Sequence, residues 1–347
     1  MSNANYSQLE RAFHRLTLGS TLIAEASFDL EQALRRPAST TGRHLFIAGL
    51  ARSGSTVLMR RFYATGKFRS LNYRDMPLVL MPGTWSRIRG VGKQAMPQPR
   101  AHDDGLLVDF DSPESFEEVF WRVFAGKLYL QADALRQVEL PSETIAQFQT
   151  YVGLILASSE SQRYLSKNNN NVLRLASVRQ AFPDALLLIP FRDPISQAES
   201  LRRQHRRFLK MHQQDPFALQ YMQWLGHHEF GADHRPFQFD ETPRRWADRD
   251  CLEYWLENWT ICYRNLLRNA PPNVVWVGYE SLCAERAIRW KKLAELADVD
   301  AELPADVDVL ENKNRTINEK VDRDLLEGAN AIYREMESLS QRCLNLA

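Results

Sequence analysis

Phe46-Ile47-Ala48-Gly49-Leu50-Ala51-Arg52-Ser53-Gly54-Ser55-Thr56-Val57-Leu58 decides the fold: an apolar run enters a turn bracketed by two glycines and re-emerges with apolar residues at helical spacing. That order reads as strand, phosphate-binding loop and helix. Gly49, Gly54 and the following Ser55-Thr56 keep the spacing G-x-x-x-x-G-K-[ST], with Ser55 where the lysine belongs. Backbone N–H groups of such a turn, with the helix N-terminus behind them, still cradle a phosphate. The cation that reaches a triphosphate's β- and γ-phosphates is missing, so the expected ligand is a nucleotide with a different reactive end.

The chain has 347 residues, with Lys+Arg 44 against Asp+Glu 43 and a net charge of +1. That length carries a sizeable core, as one large domain or two smaller ones. The charge balance argues against a dedicated nucleic-acid binder, so anion recognition must be local. Four cysteines, Cys251, Cys262, Cys283 and Cys343, show no C-x-x-C spacing. With no signal-peptide pattern and no apolar run able to span a bilayer, a reducing cytoplasm is the expected location.

Residues from about Gln8 to Leu34 carry an imperfect helical stripe and read as one helix covering a sheet face. A short second strand is expected to end near Tyr73, with Arg74 and Asp75 at its carboxyl end, where ligands bind in open α/β sheets. Met81 to His102, rich in Gly and Pro, reads as a loop. Helices are expected from Ser112-Pro113-Glu114, over Ser142–Tyr164, over Val172–Phe182 and from Pro194 to about His212. The run Ala185–Phe191 reads as a strand buried on both faces, with Pro190 near its end. Gln213 to Trp246 lacks a clear period, and further helices and a strand at Val274–Val277 follow. Strands alternating with helices from His44 to Ala297 predict an α/β fold, a central parallel sheet flanked by helices. The expectation is one domain over 1–347, with an N-terminal helical extension (about 1–40) and an acceptor-side insertion (about 211–246).

A second anion signal lies downstream in Arg192-Asp193-Pro194, with Ser200 eight residues after Arg192. The offset is a little over two helical turns, so both side chains return toward one point. The pairing of Arg52-Ser53-Gly54-Ser55-Thr56 with Arg192, Pro194 and Ser200 resembles the 5′-phosphosulfate and 3′-phosphate loops of sulfotransferases. Those enzymes use 3′-phosphoadenosine 5′-phosphosulfate (PAPS) and release adenosine 3′,5′-bisphosphate. Lys167, the Phe182-Pro183-Asp184-Ala185 step and the Tyr279-Glu280-Ser281-Leu282 turn are similar to that family as well. The loop is closer to the carbohydrate and tyrosylprotein branches than to the cytosolic small-molecule branch.

The resemblance implies a P-loop-like architecture and sulfonyl transfer to an acceptor hydroxyl, or less readily an amine, without a required metal. Ser53, Gly54, Ser55 and Thr56 would hold the 5′-phosphate. Arg52 and Lys167 would stabilise charge on the sulfonyl group and leaving oxygen, and Arg192 and Ser200 would take the 3′-phosphate. Lys313 or Arg315 would close over it. For the general base the resemblance points to Asp75, whose alternative part is an ion pair with Arg74 or a turn cap. His102 in Arg100-Ala101-His102-Asp103-Asp104 is the second candidate.

Other features have plainer readings. The Arg202–Lys210 cluster reads as a solvated face or local anion funnel rather than a nucleic-acid site. His227, His228 and His234 lack metal-ligand spacing and read as lining for a small-molecule or carbohydrate acceptor. Asp193 reads as a helix cap. The rival functions are a P-loop kinase or nucleotide hydrolase and a non-catalytic nucleotide-binding module.

Overall fold

The apolar strand runs pair into one parallel sheet. β1 (Leu45–Ile47) lies between β2 (Leu165–Lys167) and β3 (Leu186–Phe191), and β4 (Val274–Gly278) joins the far side of β3. Leu45 is opposite both Leu165 and Leu186, and Ile47 opposite both Lys167 and Leu188. All four strands therefore end on one edge of the sheet. This computed structural model describes residues 8–89, 98–99, 107–108, 114–303, 311–314 and 317–344.

Because strand side chains alternate between faces, the same residues build two apolar layers. Leu45, Ile47, Leu186, Leu188, Val275 and Val277 face one layer, filled by Leu58, Met59 and Phe62 of α1 (Ser55–Ala64) and by Trp290 and Leu293 of α2 (Arg286–Ala297). Phe46, Leu187, Ile189, Phe191 and Trp276 face the other, against Phe148 and Tyr151 of α3 (Ser142–Leu156), Leu201 and Phe208 of α4 (Pro194–Gln214) and Trp259 of α5 (Leu252–Asn269). No helix among the described residues is long and apolar enough to cross a membrane.

Several local expectations are corrected. Residues 8–34 form two helices, Gln8–Gly19 and Thr21–Leu34, because the Ser20 hydroxyl accepts from Ile23 N–H (3.3 Å) and starts a second helix. The strand expected near Tyr73 is reduced to a bridge between Arg69 and Tyr164, and Tyr73–Asp75 is a 3₁₀ turn capped by Asn72. Part of the expected Met81–His102 loop is helical, Pro82–Arg89, because buried Glu31 accepts from Gly83 N–H (2.8 Å) and Thr84 N–H (3.1 Å) at its start. The helix expected from Ser112 begins at Glu118, since Glu114 N–H is bonded to the Leu71 carbonyl. The aperiodic insertion holds a helix, Pro216–Trp224, and a short strand, Phe237–Gln238, parallel to Leu135–Arg136.

Candidate active site

Four connections leave the C-terminal edge of the sheet: the glycine-bracketed loop after β1, the Lys167 turn after β2, Arg192-Asp193 after β3 and Tyr279-Glu280 after β4. This edge is where open α/β sheets bind ligands. The two loop glycines have separate causes. A Cβ at Gly49 would stand 2.6 Å from the Pro190 carbonyl oxygen of the neighbouring strand. Gly54 has φ +84° in the left-handed region, and a Cβ there would lie 2.8 Å from the Tyr279 ring. Arg52, at φ +70°, is a non-glycine in the same sparsely populated region. The Ser53 hydroxyl is buried and takes no protein partner among the described residues.

The two sequence signals meet in space. Arg52 Nε donates to Ser200 Oγ at 3.1 Å, and Arg192 Nη1 donates to the Arg52 carbonyl at 3.3 Å. Gln197, one turn before Ser200, donates to the Ala51 carbonyl (2.9 Å) and accepts from Trp259 Nε1 (2.9 Å), which braces the loop from α4. Asp193 accepts from Ser196 N–H at 2.8 Å, the helix-cap part read for it.

Tyr279 and Glu280 tie these pieces together, and the sequence reading gave them no site role. The Tyr279 ring lies against Gly54 and under the Arg192 guanidinium, 4.7 Å from its centroid. Its hydroxyl donates to the Glu311 carbonyl and accepts from Lys313 N–H (3.1 Å). Burial pushes that phenol's pKa up, so it stays a neutral donor. Glu280 accepts from Asp193 N–H (3.0 Å), Asn314 Nδ2 (2.7 Å) and Tyr333 (3.0 Å). Asn314 also accepts from Arg192 Nε at 2.7 Å. Thus 311–314 reaches Arg192, and Lys313 takes part through its backbone. A Tyr-Glu pair directly after an apolar strand was the available signal.

Lys167 ends β2, buried, and the next N–H, of Asn168, donates to the Ile47 carbonyl at 3.1 Å. A buried polar network lies behind this turn. Glu118 accepts from Arg174 (2.9 Å) and Asn168 (2.7 Å) and also binds Tyr129, while Glu117 accepts from Trp121 (2.9 Å), Tyr164 (3.0 Å) and Asn171 (3.1 Å). Burial of these charges is costly unless every partner is present, so the network fixes the Asn168–Asn171 turn.

Asp75 is also buried. Its oxygens accept from Asn72 N–H (2.8 Å) and Arg69 Nη2 (2.5 Å), so the contacts describe a turn cap and an ion pair, with Arg69 rather than Arg74 as the cation. His102 and Arg315 lie outside the described residues. Of the insertion's histidines, His228 pairs with Asp233 (2.9 Å) and His234 with Tyr254 (2.8 Å). Among the described residues no cluster of His, Cys, Asp and Glu is arranged to hold a metal ion.

No curated protein matches the chain significantly. Among solved structures, a sulfotransferase from Mycobacterium avium aligns with TM-score 0.44 at 15% identity, over 96% of this chain and 79% of its own. A sulfotransferase from Mycobacterium tuberculosis aligns with TM-score 0.43 at 11% identity, over 99% and 87%. The sulfotransferase domain of a Synechococcus olefin synthase aligns with TM-score 0.37 at 13% identity, over 86% and 96%. A sequence profile described as "Sulfotransferase family" matches residues 44–235. That match takes in the Gly49–Thr56 loop, the Lys167 turn and the Arg192–Ser200 segment across more than half of the chain, and the chain belongs to the sulfotransferase family.

Proposed function

We propose that this sulfotransferase takes its sulfonyl group from PAPS and passes it to an acceptor hydroxyl by in-line displacement. The carrying observation is the convergence of Arg52, Ser200 and Arg192, which makes the two anion loops parts of one site. The Ser53 hydroxyl, buried and without a hydrogen-bond partner among the described residues, fits a site kept for an anion, because such a buried donor is otherwise costly.

PAPS supplies a sulfonyl group on a good phosphate leaving group. Ser53, Gly54, Ser55 and Thr56 would hold its 5′-phosphate with first-turn N–H groups and hydroxyls. Arg192 and Ser200 would take the 3′-phosphate, with Lys313 in the 311–314 segment that abuts Arg192, and Arg52, bonded to Ser200, would stabilise charge on the transferring group with Lys167. Lys167 would stabilise charge on the transferring group and leaving oxygen from the end of β2, in register with β1. Asp75 and Arg69 would hold the turn beside them.

We further read the chain as one domain, the N-terminal helices and residues 211–246 being additions around the same sheet. Support comes from Phe28, which packs with Phe120, Phe124 and Tyr151 in the main core. The acceptor is taken to be a small molecule or carbohydrate. Transfer of ³⁵S from labelled PAPS to a panel of sugars, phenols and alcohols, with a chelator present, tests the reading. Labelled product is expected, and strict dependence on an added metal or inertness toward PAPS would overturn it.

A further inference from the structure

We infer that His227, oriented by Glu229, takes the proton from the acceptor hydroxyl in the sulfonyl transfer proposed above. The inference rests on that reading and names a base in the insertion rather than Asp75.

The segment His227–Phe230 is held at both ends by left-handed glycines that no other residue would replace. Gly226 (φ +74°) abuts Glu118, where an added Cβ would come within 2.5 Å of Cγ, and Gly231 (φ +80°) abuts the His212 ring. Glu118 is the carboxylate that fixes the Asn168 turn, so the segment and the turn after Lys167 share one anchor. Two further contacts join them: Asn170 Nδ2 donates to the Gly226 carbonyl (3.3 Å), and Asn169 Nδ2 donates to Glu229 Oε1 (3.0 Å). Glu229 thus stands at the Lys167 turn.

The other oxygen, Oε2, lies 3.6 Å from His227 Nδ1, and the imidazole is 22% exposed. At that distance the carboxylate acts on the ring through its charge rather than through a hydrogen bond. Burial works against the Glu229 charge, but His227, Asn169 and Lys167 together keep its carboxyl below the usual range. An ionised Glu229 selects the tautomer with hydrogen on Nδ1 and leaves the Nε2 lone pair as the base. Other charged groups around the segment are Lys167, Asp233 with its partners His228 and Arg235, Glu118 behind Gly226 and His212 behind Gly231. By contrast Asp75 is 4% exposed, with an acceptor bond on each oxygen.

In the step, the acceptor O–H proton passes to His227 Nε2 as the acceptor oxygen bonds to sulfur. The bridging S–O bond breaks, and its electron pair leaves on the 5′-phosphate oxygen.

The test uses the full chain, ³⁵S-labelled PAPS and a phenol and alcohol panel, with His227→Gln, Glu229→Gln and Asp75→Asn compared with wild type. Calorimetry with adenosine 3′,5′-bisphosphate checks that donor binding is intact; failure of wild type to bind it sinks the PAPS reading itself. His227→Gln is expected to retain bisphosphate affinity, to lose about 10²–10⁴-fold in kcat and to lose the imidazole limb of the pH–rate profile. Activity within about threefold of wild type with that limb unchanged overturns the inference, as does loss of the limb in Asp75→Asn alone. Glu229→Gln should keep bisphosphate affinity and KM while lowering kcat by about tenfold or more, and an unchanged kcat overturns the pairing.

Discussion

The two ends of the site are built differently. Around Arg52 and Arg192 the walls are turns that follow directly from strands, pinned by backbone contacts: Gly49 against Pro190, Gly54 against Tyr279, Gln197 on the Ala51 carbonyl. Around His227 the wall is an insertion loop whose position depends on side chains from distant parts of the chain. His205 Nδ1 accepts from Gly231 N–H (3.1 Å), His212 Nδ1 accepts from Ala232 N–H (3.1 Å), and Glu118 stands behind Gly226. The Arg52–Arg192 end therefore relies on strand–turn–helix geometry, and the His227 end on a buried ion pair and neutral imidazoles. Perturbations should separate them.

Glu118→Ala should break the comparison most severely. It leaves the Arg174 guanidinium buried without its carboxylate and frees both the Asn168 turn and Gly226. Removing one partner of a buried pair costs about 3–5 kcal/mol, measurable as a lower urea midpoint. A loss below about 1 kcal/mol would mean the network does not hold the His227 end.

Acid should act next, and on the same end. Burial depresses His205 to about 4 and His234 to about 3, with nearby Arg249 acting in the same direction on both. Each is neutral when folded and titrates near 6.5 when unfolded, so the unfolded chain binds more protons at intermediate pH. Their contribution is complete above about pH 6.5 and falls as pH drops toward about 4 for His205 and about 3 for His234. Urea titrations at pH 7.5 and 4.5 should show that fall, with hydrogen exchange rising first at Gly231 and Ala232 and later in the Gly49–Thr56 loop. Simultaneous opening of both ends would dissolve the distinction.

Gly54→Ala strikes the other end. It forces a side chain into φ +84° and against Tyr279, a strain of about 1–2 kcal/mol before the ring moves. We expect roughly tenfold weaker bisphosphate binding by calorimetry with the pH dependence of stability unchanged. Tyr279→Phe should do least. It deletes the hydrogen bonds to Glu311 and Lys313 for about 1 kcal/mol, read as a faster bisphosphate off-rate while the ring still supports Arg192.

The same contrast explains what the sequence made legible. Gly49, Gly54, Arg192 and Ser200 announce themselves because turn chemistry and helical spacing are local, and the buried strands before them show as apolar runs of strand length, whereas the order of strands in the sheet does not. The Glu118–Arg174–Asn168 network is not legible, since its members are about fifty residues apart and each alone resembles a surface polar residue. Glu229 is hidden for the same reason: nothing near it in sequence reveals Asn169. Asp75 is legible as a carboxylate at the expected interval from Arg52, but not the bonds by which its oxygens hold its own turn. The break at Ser20 and the helix at Pro82–Arg89 depend on caps, one of them supplied by Glu31 from another helix.

The central claim is that one site, formed by the Gly49–Thr56 loop and Arg192–Ser200, binds a nucleotide carrying separate 5′- and 3′-phosphates. Calorimetry of the full chain with adenosine 3′,5′-bisphosphate and with ATP, each with magnesium and with a chelator, tests it most directly. The account predicts tight, magnesium-independent binding of the bisphosphate that Arg192→Ala weakens by at least tenfold. Preference for ATP with magnesium, or bisphosphate binding indifferent to Arg192, would contradict it.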